Sequence, residues 1–387
     1  MKWGLVMIKI PQNKLTSPIN FTAGTKSMLE KHKAWFFSRI LKKDPYDLNG
    51  LRISVSDVLF NLLKYSKTQI SDIVTGNPDA IESMANIKGD FYKDFLRRKN
   101  KMYALIETQE KKRLNKQKLS KKQKENLETH ISPLILYAFG YSDFNKGIAF
   151  GVPEWNAYVY MKKMNMDVCP YCNRQYIFTI GSNSDKEGRP DIDHFYPESD
   201  FPYLSCSLYN FIPSCHYCNH QKLDDYNGLK NGQLAILYPY KECFGEDAFF
   251  CIERKDPSKK VNYLKYEDVT VCLGYKKDIS PLLRYKISVS NAAFHLLENY
   301  KLHEIELRDL LIRFRNYAMP KRMHILKMLK GVSTADLDKF LIFYNNLFQE
   351  QILGLPLDVG TCDYPLRKFK KDIIKQLMNV YKTIKPK

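Results

Sequence analysis

Apolar side chains recur three and four residues apart through much of the first 150 residues, a spacing that predicts amphipathic helices. Residues 57–65 and 91–98 show the pattern most clearly. Two interruptions predict helix boundaries, at Asn77-Pro78 and Lys88-Gly89. We therefore expect the N-terminal part of the chain to be mainly helical.

The helical pattern returns after about residue 285. Three further helices are predicted, over residues 292–317, 334–353 and 365–381. The last of them is amphipathic and basic, with cations at Arg367, Lys368, Lys370, Lys371 and Lys375. We interpret these segments as packed helices whose polar faces meet water.

The pattern between the two helical regions is different. Residues 140–154 are rich in Gly, Asn and Pro, which indicates a boundary, and a short helix is predicted over 155–166. Residues 176–180 predict a strand, and after a polar turn residues 191–195 are expected to return as its hairpin partner. The chain is thus expected to contain three regions, 1–150, 151–255 and 256–387.

Charge is distributed unevenly along the chain. The formal net charge is +19, with +13 on residues 1–150, −4 on 151–255 and +10 on 256–387. Basic flanks suit a polyanionic partner, because they neutralise phosphates and release counterions, and an acidic middle suits metal cations. A solvated, Lys-rich surface explains the same composition equally well.

One basic stretch, residues 111–124 (KKRLNKQKLSKKQK), leaves two interpretations open. It could be the nucleic-acid-binding face of a helix or the solvated tip of a helical hairpin. We favour the tip, because no aromatic side chain is interleaved for base stacking.

The composition excludes some classes of protein. Hydrophobic residues make up 44% of the chain and charged residues 27%, the balance of a globular protein. The apolar run before Pro11 is too short for a secretory signal. No apolar stretch approaches the roughly 20 residues that span a bilayer. We therefore expect a cytoplasmic protein with no membrane partner, in which nine cysteines do not form a disulfide framework.

Four of the cysteines are paired by spacing. They are Cys169, Cys172, Cys215 and Cys218. Two Cys-x-x-Cys turns can together supply the four thiolates of a tetrahedral zinc site. Both turns have the form Cys-x-Tyr-Cys-Asn, so we predict a structural zinc ion. The remaining five are interpreted as small buried hydrophobes: Cys206, Cys243, Cys251, Cys272 and Cys362.

The 42 residues between the two pairs carry groups suited to hydrolysis. Asp193 and His194 are adjacent, so on a strand their side chains face opposite sides unless the strand bends. A carboxylate suits a hard divalent cation, whereas an imidazole can take a proton from water near neutrality. Asn210 precedes the second cysteine pair, and Asn219 follows it directly.

The order Cys-x-x-Cys, Asp-His, Asn and Cys-x-x-Cys-Asn-x-x-Lys over residues 169–222 resembles that of HNH (ββα-metal) endonucleases. The strings CPYCNRQY, DIDHFYPES and SLYNFIPSCHYCNHQK are similar to bacterial anti-phage HNH nucleases of the Septu and retron-associated type, which are encoded beside an ATPase. The resemblance implies an α+β, mostly α-helical protein. Its centre would be a ββα-metal module with structural zinc, flanked by helical regions.

The resemblance also implies roles for the matching residues. His194 would be the general base, and Asn210 would hold the loop that helps to orient it. Asp193 and Asn219 would bind a catalytic Mg²⁺ or Mn²⁺ ion, with His220 left open as an alternative ligand to Asn219. The structural Zn²⁺ would be held by Cys169, Cys172, Cys215 and Cys218.

Two cations complete the expected site. Lys222 and Arg174 are candidate nucleic-acid contacts that would bind phosphate, and a solvated surface cation is an equally good interpretation of each.

The expected function is metal-dependent cleavage of nucleic acid in anti-phage defence, with DNA favoured and with control by a partner such as an ATPase encoded nearby. Two alternatives stay open. One is a zinc-dependent module that binds nucleic acid without cutting it, and the other is an assembly subunit whose nuclease core is inactive. A module that only binds has no use for Asp193, His194 and Asn210 in this order.

Overall fold

The structure of the protein is a computed structural model. It describes residues 7–21, 24–48, 50–113, 119–181, 188–222, 229–230, 233–258, 266–328, 350, 352–354 and 364–383. The chain divides into two compact units. The N-terminal unit consists of Ile10–Met166 and Ile177–Lys241, and the C-terminal unit consists of Met1–Lys9, Asp167–Tyr176 and Glu242–Lys387. Both contain helices and small antiparallel sheets, so the expected mixed, largely helical fold is confirmed.

Residues 140–154, where the sequence predicted a boundary, lie inside the N-terminal unit. Trp35 Nε1 donates to the Ile148 carbonyl over 2.7 Å, which ties this segment to the first long helix. Its glycines serve turns, since Gly140 has a φ of 78° and ends a helix in the left-handed region. The three regions predicted from the sequence therefore differ from the two units of the structure.

The helices of the N-terminal unit follow the predicted periodicity. They are α1 (Asn13–Thr16), α2 (Met28–Lys42), α3 (Lys67–Thr75), α4 (Pro78–Met84), α5 (Asp90–Arg113), α6 (Lys121–Phe139), α7 (Tyr141–Lys146), α8 (Ala157–Met164) and α9 (His216–Lys222), with a π-helix at Asp57–Leu62 and 3₁₀ turns at Pro202–Leu204 and Leu208–Asn210. Ser27, Ser66 and Ser120 begin α2, α3 and α6 by exchanging hydrogen bonds with the Glu or Gln three residues later. The helices predicted at 57–65, 91–98 and 155–166 are confirmed.

The predicted tip of a helical hairpin is confirmed in its described part, because the basic stretch joins α5 to α6. Glu107 on α5 lies 3.6 Å from Lys124 on α6. Lys99 Nζ donates to Ser132 Oγ over 3.1 Å, so α6 returns antiparallel to α5. Residues 114–118 lie outside the described residues.

The core of the N-terminal unit surrounds a buried histidine. His32 on α2 is fully buried, and its ring lies 5.1 Å from that of Phe144. Its Nε2 lies 2.7 Å from the Cys206 carbonyl oxygen, and Trp155 Nε1 donates to its Nδ1 over 3.1 Å. The ring must therefore donate from Nε2 and accept at Nδ1. The neutral tautomer protonated on Nε2 does both. Burial lowers the pKa of His32 from 6.5 to about 4.

We expect acid to destabilise this core through His32. The unfolded chain takes up the proton near pH 6.5 and the folded chain only near pH 4, so the unfolded state holds more protons between these values. The free energy of unfolding is therefore highest above pH 6.5 and falls as the pH is lowered to about 4, by up to ~3 kcal/mol. Urea unfolding of the wild type and of His32→Gln across this range measures the effect. Equal pH slopes in the two proteins would contradict it.

The strands pair two by two, and every described pair is antiparallel. The pairs are β1 (Ile19–Phe21) with β2 (Gly24–Lys26), β3 (Tyr46–Leu48) with β4 (Leu51–Ile53), β5 (Asp191–His194) with β6 (Phe211–Ser214), β7 (Leu229–Lys230) with β8 (Gln233–Leu234), and β9 (Ala248–Arg254) with β10 (Val269–Tyr275). In the third pair Asp191 stands opposite Ser214 and His194 opposite Phe211.

The hairpin predicted between residues 176–180 and 191–195 is wrong. Ile180 pairs with Gly188 at an isolated bridge, and β5 takes β6 as its partner instead. Pro190 directly precedes β5 and has no N–H to donate, so the ladder that starts at Gly188 cannot continue through it.

The C-terminal unit is built from the β9–β10 pair and helices. The helices are α10 (Pro281–Ala293), α11 (Leu296–Lys301), α12 (Glu304–Met328) and α13 (Arg367–Thr383), with a 3₁₀ turn at Tyr266–Asp268. The helix predicted at 365–381 is confirmed by α13, and the one at 292–317 is divided among α10, α11 and α12. The helix predicted at 334–353 lies almost wholly outside the described residues. In the part of the chain that the structure describes, every helix falls short of the length or hydropathy that crossing a bilayer requires.

Polar side chains of α13 hold the backbone of β9. Asp372 accepts from the Phe250 N–H over 2.9 Å. One turn further along α13, Gln376 accepts from the Ile252 N–H and donates to its carbonyl, each over 2.8 Å. Side chains four residues apart on the helix thus form hydrogen bonds with the backbone of alternate strand residues. These hydrogen bonds hold α13 against β9.

Two of the scattered cysteines are joined. Cys251 on β9 stands opposite Cys272 on β10, and the two form a disulfide. Their Cα atoms are 5.1 Å apart, a separation that suits a disulfide. The interpretation of these two residues as isolated buried hydrophobes is therefore wrong. Spacing could not reveal the pairing, because it depends on the register of the strands.

Candidate metal centre and active site

Four buried cysteines form one group. The sulfurs of Cys169, Cys172, Cys215 and Cys218 all lie within 4.8 Å of one another. A zinc ion bound tetrahedrally at about 2.3 Å would space four sulfurs about 3.8 Å apart, so the group can close around such an ion. A set of four thiolates suits zinc better than magnesium or calcium. The group could therefore hold a structural metal such as zinc, as the spacing predicted.

Each Cys-x-x-Cys turn is shaped by its own backbone. The Asn173 N–H donates to the Cys169 carbonyl over 2.9 Å, and the Asn219 N–H donates to the Cys215 carbonyl over 3.0 Å. Backbone N–H groups also point at the sulfurs of Cys172 and Cys215, at 3.4 and 3.5 Å. Such hydrogen bonds help to fix the position of each sulfur.

The asparagines that follow the two turns have different environments, although the sequence presents them alike. Asn173 is buried with a φ of 49°, and its carbonyl accepts from the Leu366 N–H over 2.6 Å. Its side-chain oxygen accepts from the Lys368 N–H over 3.4 Å, so it holds the start of α13. Asn219 lies on α9 and donates from Nδ2 to Asp191 over 3.1 Å.

Strands β5 and β6 and helix α9 form a strand–strand–helix unit. The second cysteine turn leads from β6 into α9, and α9 packs against β5. Side chains alternate along a strand. Asp191 and Asp193 therefore share the face of β5 that meets α9, and His194 is the last residue of the strand.

His194 is held by a backbone carbonyl. Its Nε2 lies 2.8 Å from the Ser205 oxygen, and the Tyr141 ring stands edge-on to it at 4.3 Å. A carbonyl can only accept, so the ring carries its proton on Nε2 and its lone pair on Nδ1. Burial lowers the pKa of His194, and the negative charge of Glu198 opposes that shift. The imidazole is thus set up as a neutral proton acceptor.

Asn210 is fully buried and holds the loop between the two strands. Its Oδ1 accepts from the Tyr196 N–H over 2.7 Å, and its Nδ2 donates to the carbonyls of Tyr196 and Leu204 over 2.9 and 3.0 Å. Leu204 directly precedes Ser205, whose carbonyl holds His194. These hydrogen bonds agree with the role predicted for Asn210, which stays a prediction.

Asp193 is paired with Lys222. The two side chains are 7% and 2% exposed, and Lys222 Nζ lies 2.9 Å from the carboxylate. The ammonium also donates to the His194 carbonyl. Lys222 therefore neutralises a buried charge in the interior, whereas the predicted phosphate contact requires a surface position. The cause is the direction of α9, which turns this side chain back onto β5.

We expect Lys222→Met to lower the free energy of unfolding by ~3–5 kcal/mol, because it leaves a buried carboxylate without its cation. The double variant Asp193→Asn, Lys222→Met should recover much of that loss, since no charge then stays buried. Urea unfolding measures both. The control is Lys375→Met, which breaks an exposed pair with Glu246 and should cost less than about 1 kcal/mol. A Lys222→Met cost no larger than the control would show that the buried pair contributes little.

Neither Asp191 nor His216 has a role in the predicted site, and the two meet at the other end of α9. His216 Nδ1 lies 2.9 Å from Asp191 Oδ2, the same oxygen that Asn219 contacts. Two signals were present in the sequence. Asp191 is two residues from Asp193 and so shares its face, and His216 is three residues from Asn219 and so shares its side of the helix. The sequence leaves Asn219 and His220 open as alternative metal ligands. In the structure Asn219 faces β5 and His220 is exposed.

Arg174, the other predicted phosphate contact, belongs to the C-terminal unit and is half-buried. Its Nε donates to His303 Nε2 over 3.0 Å. That hydrogen bond fixes one edge of the guanidinium, and a phosphate contact by Arg174 stays a prediction.

Comparisons of the chain with models of protein families, with curated proteins and with solved structures each gave no match. Within the chain itself, the structure brings the four cysteines into one group. It places His194 at the end of β5 and two carboxylates, Asp191 and Asp193, on the face of that strand that meets α9. A function for this protein has to be inferred from these residues.

Proposed function

We propose that the protein is a metal-dependent HNH endonuclease that hydrolyses phosphodiester bonds of nucleic acid, with DNA the favoured substrate. The observation that carries the proposal is the setting of His194. Its Nε2 proton is held by the Ser205 carbonyl, which leaves the lone pair of Nδ1 to accept a proton from water. Burial lowers the pKa of the imidazole and so keeps it neutral near pH 7.

The surrounding elements support this assignment. The order β5, β6 and α9 agrees with the strand–strand–helix order that the HNH resemblance implies. Asn210 binds the loop whose carbonyl holds His194. The cysteine group could fix the start of α9 through a zinc ion.

In the proposed reaction, His194 takes the proton of the attacking water, a contribution worth about 10²–10⁴ in rate. A divalent cation, when bound, would stabilise the charge that develops on the phosphate and the leaving oxygen. The resemblance assigns that cation to Asp193 and Asn219, and an Mg²⁺ or Mn²⁺ ion would serve.

The tip of the α5–α6 hairpin supports a nucleic-acid partner. Lys112, Arg113, Lys121 and Lys122 are exposed there. Lys121 and Lys122 lie in the first turn of α6, which carries no acidic residue. Cations at this positive helix end cost ~0.3–1 kcal/mol each. Contact with a phosphate backbone would offset this cost, which makes the solvated tip a candidate surface for nucleic acid.

Control by a partner is part of the proposal. A nuclease with a formal charge of +19 would bind host nucleic acid through its basic surfaces. Gating by a second protein, such as an ATPase encoded nearby, would restrain it, and anti-phage defence is the setting that the resemblance suggests. The isolated chain is then expected to cut slowly.

Supercoiled plasmid DNA tests the proposal when it is incubated with the zinc-loaded full-length protein and Mg²⁺ or Mn²⁺. Nicked or linear product that the His194→Ala variant does not give would support a nuclease. Retarded migration of plasmid that stays uncut would favour a zinc-dependent binding module. Neither cutting nor binding would favour an inactive assembly subunit.

A further inference from the structure

Two carboxylates of β5 compete for the role of metal ligand, and their surroundings differ. Asp193 is buried and neutralised by Lys222, whose ammonium is buried with it. A cation that bound Asp193 would lie beside this buried ammonium and be repelled by it. Asp193 is therefore a less favourable ligand for a hydrated ion than an exposed carboxylate.

Asp191 has the opposite character. Its side chain is 34% exposed, so a hydrated ion can reach it. His216 Nδ1 and Asn219 Nδ2 both lie close to one of its oxygens, Oδ2, at 2.9 and 3.1 Å. Carboxylate oxygen, imidazole nitrogen and amide oxygen are all metal ligands, and the Asn219 amide offers its oxygen after a half-turn.

These distances fit an octahedral ion. Neighbouring ligands bound at about 2.1 Å to such an ion stand about 3.0 Å apart. The separations of 2.9 and 3.1 Å at Asp191 Oδ2 are hydrogen-bond distances close to this spacing, and the Asn219 amide has to turn before its oxygen can take the place of Nδ2. His220 is exposed one turn further along α9, with its ring centre 6.1 Å from that of His216. Among the described residues of α9, His216 and Asn219 contact Asp191 and His220 does not.

The geometry points to a divalent-cation site formed by Asp191, His216 and Asn219, in which Asp191 takes the place that the HNH resemblance gives to Asp193. The mixed nitrogen and oxygen ligands favour a transition metal such as Mn²⁺ over Mg²⁺, because imidazole is a poor ligand for Mg²⁺. That this ion serves cleavage rests on the proposed function, whereas its binding does not. Asp193 and Lys222 then form a buried ion pair that does not contact the cation.

Binding of Mn²⁺ tests the site without any need for cleavage. The zinc-loaded, full-length His194→Ala protein is titrated with Mn²⁺, and the signal of free Mn²⁺ is followed by electron paramagnetic resonance. Zinc content is measured alongside, so that loss of the cysteine site is not mistaken for loss of this one. We expect one saturable site, and weaker binding of Mg²⁺ in competition.

Adding Asp191→Asn or His216→Ala should weaken Mn²⁺ binding by at least the 10–100-fold that loss of an outer-shell partner costs. The double change Asp193→Asn, Lys222→Met removes the other carboxylate without leaving a buried charge, and it should keep Mn²⁺ affinity within about threefold. Loss of binding in that double variant, with Asp191→Asn unaffected, would overturn the proposal in favour of Asp193. If the His194→Ala protein showed no saturable Mn²⁺ binding, the proposed cation site would likewise be refuted. A protein that binds Mn²⁺ as expected but never cuts would refute the nuclease and leave the site standing.

Discussion

His194→Ala should slow the cleavage of supercoiled DNA by about 10²–10⁴-fold, which is what a positioned general base contributes. The variant should stay folded, because the half-buried ring makes one hydrogen bond, to the Ser205 carbonyl, and such a bond is worth about 1 kcal/mol. Zinc content should be unchanged, since the cysteine group does not involve this residue. The conversion of supercoiled to nicked plasmid in Mn²⁺ gives the rate, and metal analysis with thermal unfolding confirms the fold.

The matched control is His130→Ala. His130 is also partly buried in the N-terminal unit, and its Nδ1 lies 3.2 Å from the Tyr46 hydroxyl on β3. This variant should cut as fast as the wild type. Equal rates for wild type and His194→Ala would remove the proposed base, and equal losses in both variants would show that the effect comes from folding.

The helices could be predicted from the sequence because their signals are local. Residues 91–98, for example, place apolar side chains three and four apart, and they lie within α5. The partner of β5 could not be predicted, because β6 contains Pro213, a residue that argues against a strand. Pro213 is tolerated because β5 and β6 form a two-stranded sheet. Each strand therefore has one edge that pairs with no other described strand, where a missing N–H costs no ladder hydrogen bond.

The candidate site shows the same division between local and distant information. The four-cysteine group was predictable, since each half is a short turn of fixed shape. The partner of Asp193 was not, because Lys222 is 29 residues away and its direction depends on how α9 docks on β5. Residue type and spacing indicated that a carboxylate would bind a cation. They could not show that Asp193 is neutralised and that Asp191 is exposed beside Asn219.

Cys215→Ser should remove the structural metal and unfold the segment around it. A serine hydroxyl is a poor zinc ligand, and three thiolates hold the ion far less well than four. Structural zinc contributes folding energy directly, so the loss of stability should be on the order of several kcal/mol. Cys215 lies between the last residue of β6 and the first of α9, so its loss should disorder α9. Zinc per chain, measured by mass spectrometry, and the thermal unfolding midpoint report the two effects.

The control is Cys243→Ser, which removes a half-buried thiol outside the four-cysteine group and should leave zinc content unchanged. Loss of α9 would take Asn219 and Lys222 from β5, so Cys215→Ser should also lose Mn²⁺ binding and cleavage. His194→Ala, in contrast, should lose cleavage alone. A Cys215→Ser protein that is free of zinc yet folded and active would show that the four thiolates do not need a metal. The base and the cation site would then depend on packing alone.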